Sequence, residues 1–256
     1  MIRTILWFLF MAVTIALMTP WAIYYRLKLK HAPGDPIDPG VEKIVQVWAG
    51  YILKVAGITV HAQGYENLPD ETALFVGNHQ GNYDIPVILC KLGPLKSIVA
   101  KKEIAKIPGI RSWMEHFDCI FMDRDDPRQS LVALNRAQEL LEQGRSVIIF
   151  PEGTRSRGPD MAEFKAGALR CALKAGVPVA PFALDGSYKA MEANKGLMRP
   201  ADVYLHILPK IETAGLSKTQ TRALSQEVQQ SIQNALYDMR GTPEGERISW
   251  ITPQDS

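Results

Sequence analysis

The sequence predicts an α/β fold, a mixed, partly parallel sheet flanked by helices, preceded by a membrane-anchoring helical segment. Two patterns carry this expectation. From about residue 57 onward, short β-rich apolar runs alternate with helical patterns, as in chains built from crossover units. Before that lies a long run with no charge. Length and composition agree with one substantial core plus an appendage: 256 residues, 46% hydrophobic and 22% charged.

Ile5 through Tyr25 is 21 residues without a charged side chain, which as a helix is about 32 Å long, the hydrocarbon thickness of a bilayer. No small-residue cleavage site closes the run. Pro20, Trp21, Tyr24 and Tyr25 instead lie where an interfacial belt belongs, so a retained anchor is expected over a cleaved signal. Arg26, Lys28 and Lys30 follow the run while Arg3 stands alone before it, which places the remainder of the chain on the cytoplasmic side of a membrane. Three cysteines, Cys90, Cys119 and Cys171, are an odd number without CxxC spacing and fit a reducing compartment.

His31 to Gly40 packs three prolines and two glycines into ten residues and reads as a turn or short linker. Val41 to Val55 then places Ile44, Val45, Val47, Trp48, Tyr51, Ile52 and Val55 near one helical face. Periodicity alone admits a core-packed helix or an interfacial one. Residues 1–56 are therefore expected to form membrane-associated helices (anchor 5–25, amphipathic helix 41–55) and 57–256 the catalytic domain. A formal net charge of +2 is too weak to call for nucleic acid as a partner.

Strands are expected at Ile58–Val60, Ala73–Val76, Ser97–Ala100, Cys119–Met122, Val147–Phe150, Val177–Leu184 and Val203–Ile211. In VPVAPFAL, Pro178 and Pro181 mark either an edge strand or one bordering a site. Ser130 to Gln143 repeats leucines and alanines at three and four and stops at Gly144, a helix pattern, and Ser217 with Gln220 makes a capping box before another.

The strand ending in ALFV runs into GNHQGNYDIP, which puts His79 just past a strand end and Asp84 five residues later. Sites in α/β proteins are built there. Positions five apart on a regular helix point about 140° apart, so the two side chains converge only if a turn intervenes, and Gly81 and Asn82 are turn residues. Converged, Asp84 fixes the imidazole tautomer while His79 removes a proton from an alcohol. Otherwise Asp84 caps the helix starting at Ile85.

A second strand, Val147–Phe150, breaks at Pro151 and delivers Glu152, Gly153, Thr154 and Arg155. Arg155 can grip a phosphate bidentately, Gly153 lets backbone N–H groups approach, and Glu152 can orient the arginine or bind a hydroxyl. The alternative is a solvated surface pair. Lys96, Lys101, Lys102 and Lys106 cluster between the two motifs with Glu103 as the one acid, and Arg124 follows the next strand. An anionic headgroup suits such a cluster, with Arg124 and one of Lys101 or Lys102 as its contacts. Ile107, Ile110, Trp113, Met114 and Phe117 line an acyl groove, face lipid or pack in the core. His61, His116 and His206 sit apart from carboxylates and read as structural. The G-x-S-x-G, Walker A, H-E-x-x-H and dinucleotide signatures are all missing, which excludes the corresponding hydrolase, NTPase and metalloprotease classes.

In this order, NHQGNYD, the K-x-E-x-x-x-I-P segment with F-M-D-R, FPEGTRS and VPVAPFAL resemble the four blocks of the glycerolipid acyltransferases. The resemblance is nearest to the 1-acyl-sn-glycerol-3-phosphate (lysophosphatidic acid) acyltransferases and covers about residues 60 to 185. It implies an acyl-CoA or acyl-(acyl carrier protein) donor, a lysophosphatidic acid acceptor in the bilayer, and phosphatidic acid as product, with no cofactor and no metal. It implies His79 and Asp84 as the catalytic pair. Arg124, Glu152, Gly153, Thr154 and Arg155 match the acceptor-phosphate site, with a lysine at Lys101 or Lys102 near the phosphate. Asp118 departs from the pattern, because a glycine is expected before that strand. Three other readings stay open: a different lyso-lipid acceptor, a covalent acyl-cysteine route, and a non-catalytic protein that only holds lipid phosphate.

Overall fold

The computed structural model describes residues 1–29, 35–165, 167–216, 218–243 and 246. Seven strands form one sheet in the order β1-β7-β6-β2-β5-β3-β4: β1 Ile58–Gln63, β2 Leu74–Gly77, β3 Ser97–Lys101, β4 Ile120–Met122, β5 Val147–Ile149, β6 Val179–Asp185 and β7 Ala201–Ile207. All pairings are parallel except β6 with β7. The mixed, partly parallel sheet is as expected, and each expected strand overlaps an observed one. The last is shorter than expected, since after Ile207 only an isolated bridge from Val179 to Ile211 continues the pairing.

The central strands are buried on both faces, so their side chains alternate between two layers. Phe75, Ile148, Ala180, Phe182 and Leu184 face the layer built by α1 Ile2–Leu29, α2 Pro39–Ala56, α3 Asp84–Lys91 and α4 Pro108–Glu115. Leu74, Val76, Val147, Ile149 and Ala183 face α5 Pro127–Glu142, α6 Arg170–Ala175 and α7 Lys218–Arg240. Each fully buried Leu, Ile or Phe among them contributes about 1.5–3 kcal/mol by leaving water.

Strand β6 is interior, which rules out the edge reading of VPVAPFAL and leaves the site-bordering one. Pro181 is tolerated because it sits where the β6–β7 ladder begins: its carbonyl still accepts from Leu208 N, and only its own missing donor is lost. Helix α5 starts earlier than the leucine repeat suggested, because Asp126 caps it by accepting from Arg128 N at 2.8 Å. The expected cap at Ser217 lies outside the described residues.

Helix α1 runs 28 residues, through Pro20 and beyond both ends of the uncharged stretch. It is the one described helix long and apolar enough to cross a membrane. Its length is about 42 Å at 1.5 Å per residue. One side is not free, however. Thr4 Oγ1 accepts from Met198 N at 3.0 Å, and the Trp7 ring meets the Tyr83 ring edge-on at 5.9 Å. His116 Nε2 donates to the Ala22 carbonyl at 3.0 Å.

Of the expected linker, residues 31–34 lie outside the described set, and Pro39 and Gly40 already belong to α2. Asp38 caps that helix by accepting from Gly40 N, and Pro at the first turn loses no bond. The core-packed reading of α2 holds on one face, and the other face is partly open. Val41, Val45, Ala49, Ile52 and Leu53 are buried in the core, while Val47 and Tyr51 stay half exposed at 50% and 54%. Trp113, Met114 and Phe117 are core residues, whereas Ile107 is 44% exposed.

Asp118, the departure from the family pattern, takes the left-handed backbone (φ 52°) that explains why glycine is expected there. Its carboxylate lies 3.5 Å from Arg145 Nη2, both side chains being buried. The pair sits before β4 and β5, at the opposite end of the strands from Arg124. Asp118→Gly relieves about 1 kcal/mol of backbone strain but removes a charge partner of a buried guanidinium. A net loss of about 2 kcal/mol is expected in urea unfolding, regained when Arg145→Met is added.

Candidate active site

The site gathers at the carboxyl ends of β2, β5 and β6. Asn78 extends β2 by a side-chain clamp: its Nδ2 donates to Leu184 O and its Oδ1 accepts from Leu184 N, each at 2.8 Å. The chain then turns, and His79 Nδ1 lies 2.6 Å from Asp84 Oδ2. The turn that the spacing required is made by Gln80 and Gly81, whose backbone N–H groups donate to the same oxygen at 2.7 and 2.9 Å. Asp84 is fully buried and opens α3 without capping it. Three contacts converge on Oδ2, so the buried side chain is not left unsatisfied there. Its Oδ1 is buried without a partner.

Because Asp84 accepts from Nδ1, the proton sits there and the lone pair is on Nε2. The ring stacks on Phe150 with centroids 4.3 Å apart, and only 10% of the side chain is exposed.

Glu152 does not orient Arg155. Its Oε1 accepts from His79 N at 2.6 Å and its Oε2 from Ala162 N at 2.8 Å, so it braces the histidine loop against the segment after β5. Burial, reinforced by the nearby Asp84 charge, pushes its carboxyl up to about 7 against those two donors. The folded chain therefore holds this proton more tightly than the unfolded one. The associated stability is complete below the usual carboxylate range, near 4.5, and is lost as pH rises through about 7. The melting temperature of the wild type relative to Glu152→Gln is expected to fall between about pH 5 and about pH 8. A gap that is constant or widens over that range contradicts the shift.

Gly153 sits at φ 73°, and a Cβ there would lie 2.6 Å from Lys165 Cε. Thr154 is exposed. Arg155 is held by Asn82 Oδ1 and by Glu192 Oε1, the latter at 3.2 Å. Glu192 also accepts from Asn82 N at 2.8 Å, and its Oε2 lies against Gly81, where a Cβ would approach it to 2.8 Å. Nothing in the sequence marks Glu192, which is 110 residues from Asn82 and outside every motif.

Arg124 is brought near Arg155. Burial first, then the Arg155 charge, lowers its proton affinity, and its Nε is buried without a partner. A buried guanidinium in the field of a second one, with an unused donor, calls for an anionic partner. The lysines have acidic partners of their own: Lys101 is exposed and 3.5 Å from Glu103, and Lys102 pairs with Asp123. The amides of Gly81 and Gly153, natural candidates to steady an oxyanion, are both engaged, by Asp84 and by the Phe150 carbonyl. His61 is not apart from acids, since it meets Asp202 at 2.8 Å on the exposed face of β1 and β7.

Burial raises all three thiols above their ordinary range, Cys171 to about 11, which makes each a poor nucleophile.

An imidazole–carboxylate pair beside two guanidinium groups is the equipment of an acyl-transfer enzyme, and the model of the acyltransferase family matches residues 59–185. The 1-acyl-sn-glycerol-3-phosphate acyltransferase of Haemophilus influenzae is 31% identical over 73% of this chain and 78% of its own length. The probable enzyme of the same name from Mycoplasma pneumoniae is 35% identical, over 57% of both chains, so the match spans little more than half of that relative. The crystal structure of the 1-acyl-sn-glycerophosphate (LPA) acyltransferase from Thermotoga maritima superposes with a TM-score of 0.79 at 26% identity, covering 93% of this chain and 95% of that one. The chain belongs to the 1-acyl-sn-glycerol-3-phosphate acyltransferase family.

Proposed function

We propose that the protein transfers a fatty acyl group from acyl-CoA or acyl-(acyl carrier protein) to the free hydroxyl of lysophosphatidic acid, giving phosphatidic acid. The observation that carries this reading is the 2.6 Å contact of His79 Nδ1 with Asp84 Oδ2, with Arg155 and the unpartnered Nε of Arg124 as the anion-binding groups. His79 Nε2 takes the hydroxyl proton as the oxygen attacks the thioester carbonyl. Asp84 holds the tautomer and steadies the imidazolium that forms. As the carbon–sulfur bond breaks, the imidazolium returns its proton to the leaving thiolate. Arg124 and Arg155 hold the acceptor phosphate, with Gly153, Thr154 and Lys101 or Lys102 at its margin and Glu152 keeping the loop in place.

Residues 1–56 serve as the membrane-associated part and 57–256 as the catalytic part. The charge distribution around α1 favours a cytoplasmic position for the latter.

The test is a product assay with the purified full chain in mixed vesicles, offering several lyso-acceptors and both donor types. Phosphatidic acid with release of free thiol is expected, and faster with lysophosphatidic acid than with acceptors whose phosphate is esterified. Binding of lysophosphatidic acid without thiol release from either donor would leave a lipid-phosphate-binding protein. Faster turnover of another lyso-lipid would reassign the acceptor.

A further inference from the structure

The catalytic pair is tied to the far end of the chain. Gln80 is 1% exposed, and each of its polar groups has a partner. Its backbone N–H donates to Asp84 Oδ2 at 2.7 Å and its carbonyl accepts from Arg157 N at 3.0 Å. Its side-chain Nε2 donates to Asp185 Oδ1 at 3.1 Å and its Oε1 accepts from Gly186 N at 2.9 Å. Flipping the amide would set NH₂ against an N–H and a carbonyl against a carboxylate, so the end of β6 fixes where Gln80 sits.

Asp185 is in turn nearly buried, with 9% of its side chain exposed, and needs a counter-charge. Arg240 supplies it, donating to the same oxygen from Nε at 3.0 Å and from Nη2 at 2.5 Å. Its Nη2 also donates to the Pro159 carbonyl at 2.7 Å, in the segment that follows Arg155. Arg240 is the last residue of α7, a helix seated in the core through Leu224, Val228, Ile232 and Leu236.

We propose that Arg240 and Asp185 are positioning residues for acyl transfer, holding the His79–Asp84 pair in register through Gln80. The inference rests on the catalytic role proposed for that pair. Neither residue touches the reacting atoms. Their effect comes from geometry, because without the guanidinium the Asp185 carboxylate is left buried with one amide donor and turns toward water, which frees Gln80. The N–H groups that aim Asp84 at the imidazole then lose their setting. A misplacement of about 1 Å at such a site is enough to lower turnover about a hundredfold.

The experiment compares Arg240→Ala, Arg240→Lys, Asp185→Asn, Leu224→Ala and His79→Ala in the full chain, reading kcat, acceptor KM and melting temperature for each. Arg240→Ala is expected to lower kcat about tenfold or more with acceptor KM within about twofold, and Arg240→Lys to restore most of the loss. Leu224→Ala opens a cavity in the same helix away from the relay. It is expected to lower the melting temperature with kcat kept within about twofold. If Arg240→Ala does not fold, Asp185→Asn, which keeps the shape and the acceptor for Gln80 but not the charge, is judged by the same standard. Wild-type kcat in Arg240→Ala or Asp185→Asn overturns the relay, as does a Leu224→Ala loss of kcat equal to that of Arg240→Ala. Full turnover in His79→Ala overturns the underlying reading instead, so the two failures are separable.

Discussion

Replacing His79 by alanine is expected to reduce acyl transfer by about 10²- to 10⁴-fold while lysophosphatidic acid still binds. The fold survives the change, because the contact that places this residue is backbone: its N–H donates to Glu152, whatever the side chain. What disappears is the imidazole lying on Phe150 and, with it, the nitrogen to which the proposed mechanism gives the hydroxyl proton. A pre-steady-state assay with saturating acceptor isolates the effect. Near-wild-type turnover in the purified variant would remove the general-base assignment. Asp84→Asn should be comparably slow, since an amide presents no matching acceptor set to the imidazole and two backbone N–H groups at once.

Arg155→Leu is expected to raise the acceptor KM by at least about tenfold, with a smaller effect on kcat. The same change strands Glu192, which is 7% exposed at its side chain and already has one oxygen without a partner. A stability loss of about 1–3 kcal/mol accompanies it. Adding Glu192→Gln should recover the stability and leave the KM defect, which separates phosphate binding from packing. A KM change confined to the acyl donor would contradict the phosphate role.

Much of the fold was legible because its signals are local. Seven apolar β-rich runs alternating with amphipathic stretches specify a doubly flanked sheet by periodicity alone, and the 28-residue α1 announced itself by lack of charge. The order of strands was not legible, since β6 lands beside β2 through pairing across a hundred residues, and so its prolines left two placements open. Within the site, His79, Asp84 and Arg155 could be named because residue type and strand-end position coincide. Their supports could not. Glu192, Asp185 and Arg240 are ordinary surface-type residues in sequence and become buried partners only when distant segments meet. What Glu152 touches was not legible for the same reason: Arg155 is close in the chain, but its partners in space are the backbones of His79 and Ala162.

The contacts of Thr4 and Trp7 with Met198 and Tyr83 have a practical bearing on how the enzyme can be handled. Tyr83 precedes Asp84, so the N-terminal helix packs behind the carboxylate that meets His79. Deleting the first 29 residues to obtain a detergent-free fragment would strip that layer and uncover Tyr83, which is 1% exposed in the intact chain. The apolar helix is scaffold, and solubility gained by trimming it would come at the expense of the packing behind Asp84.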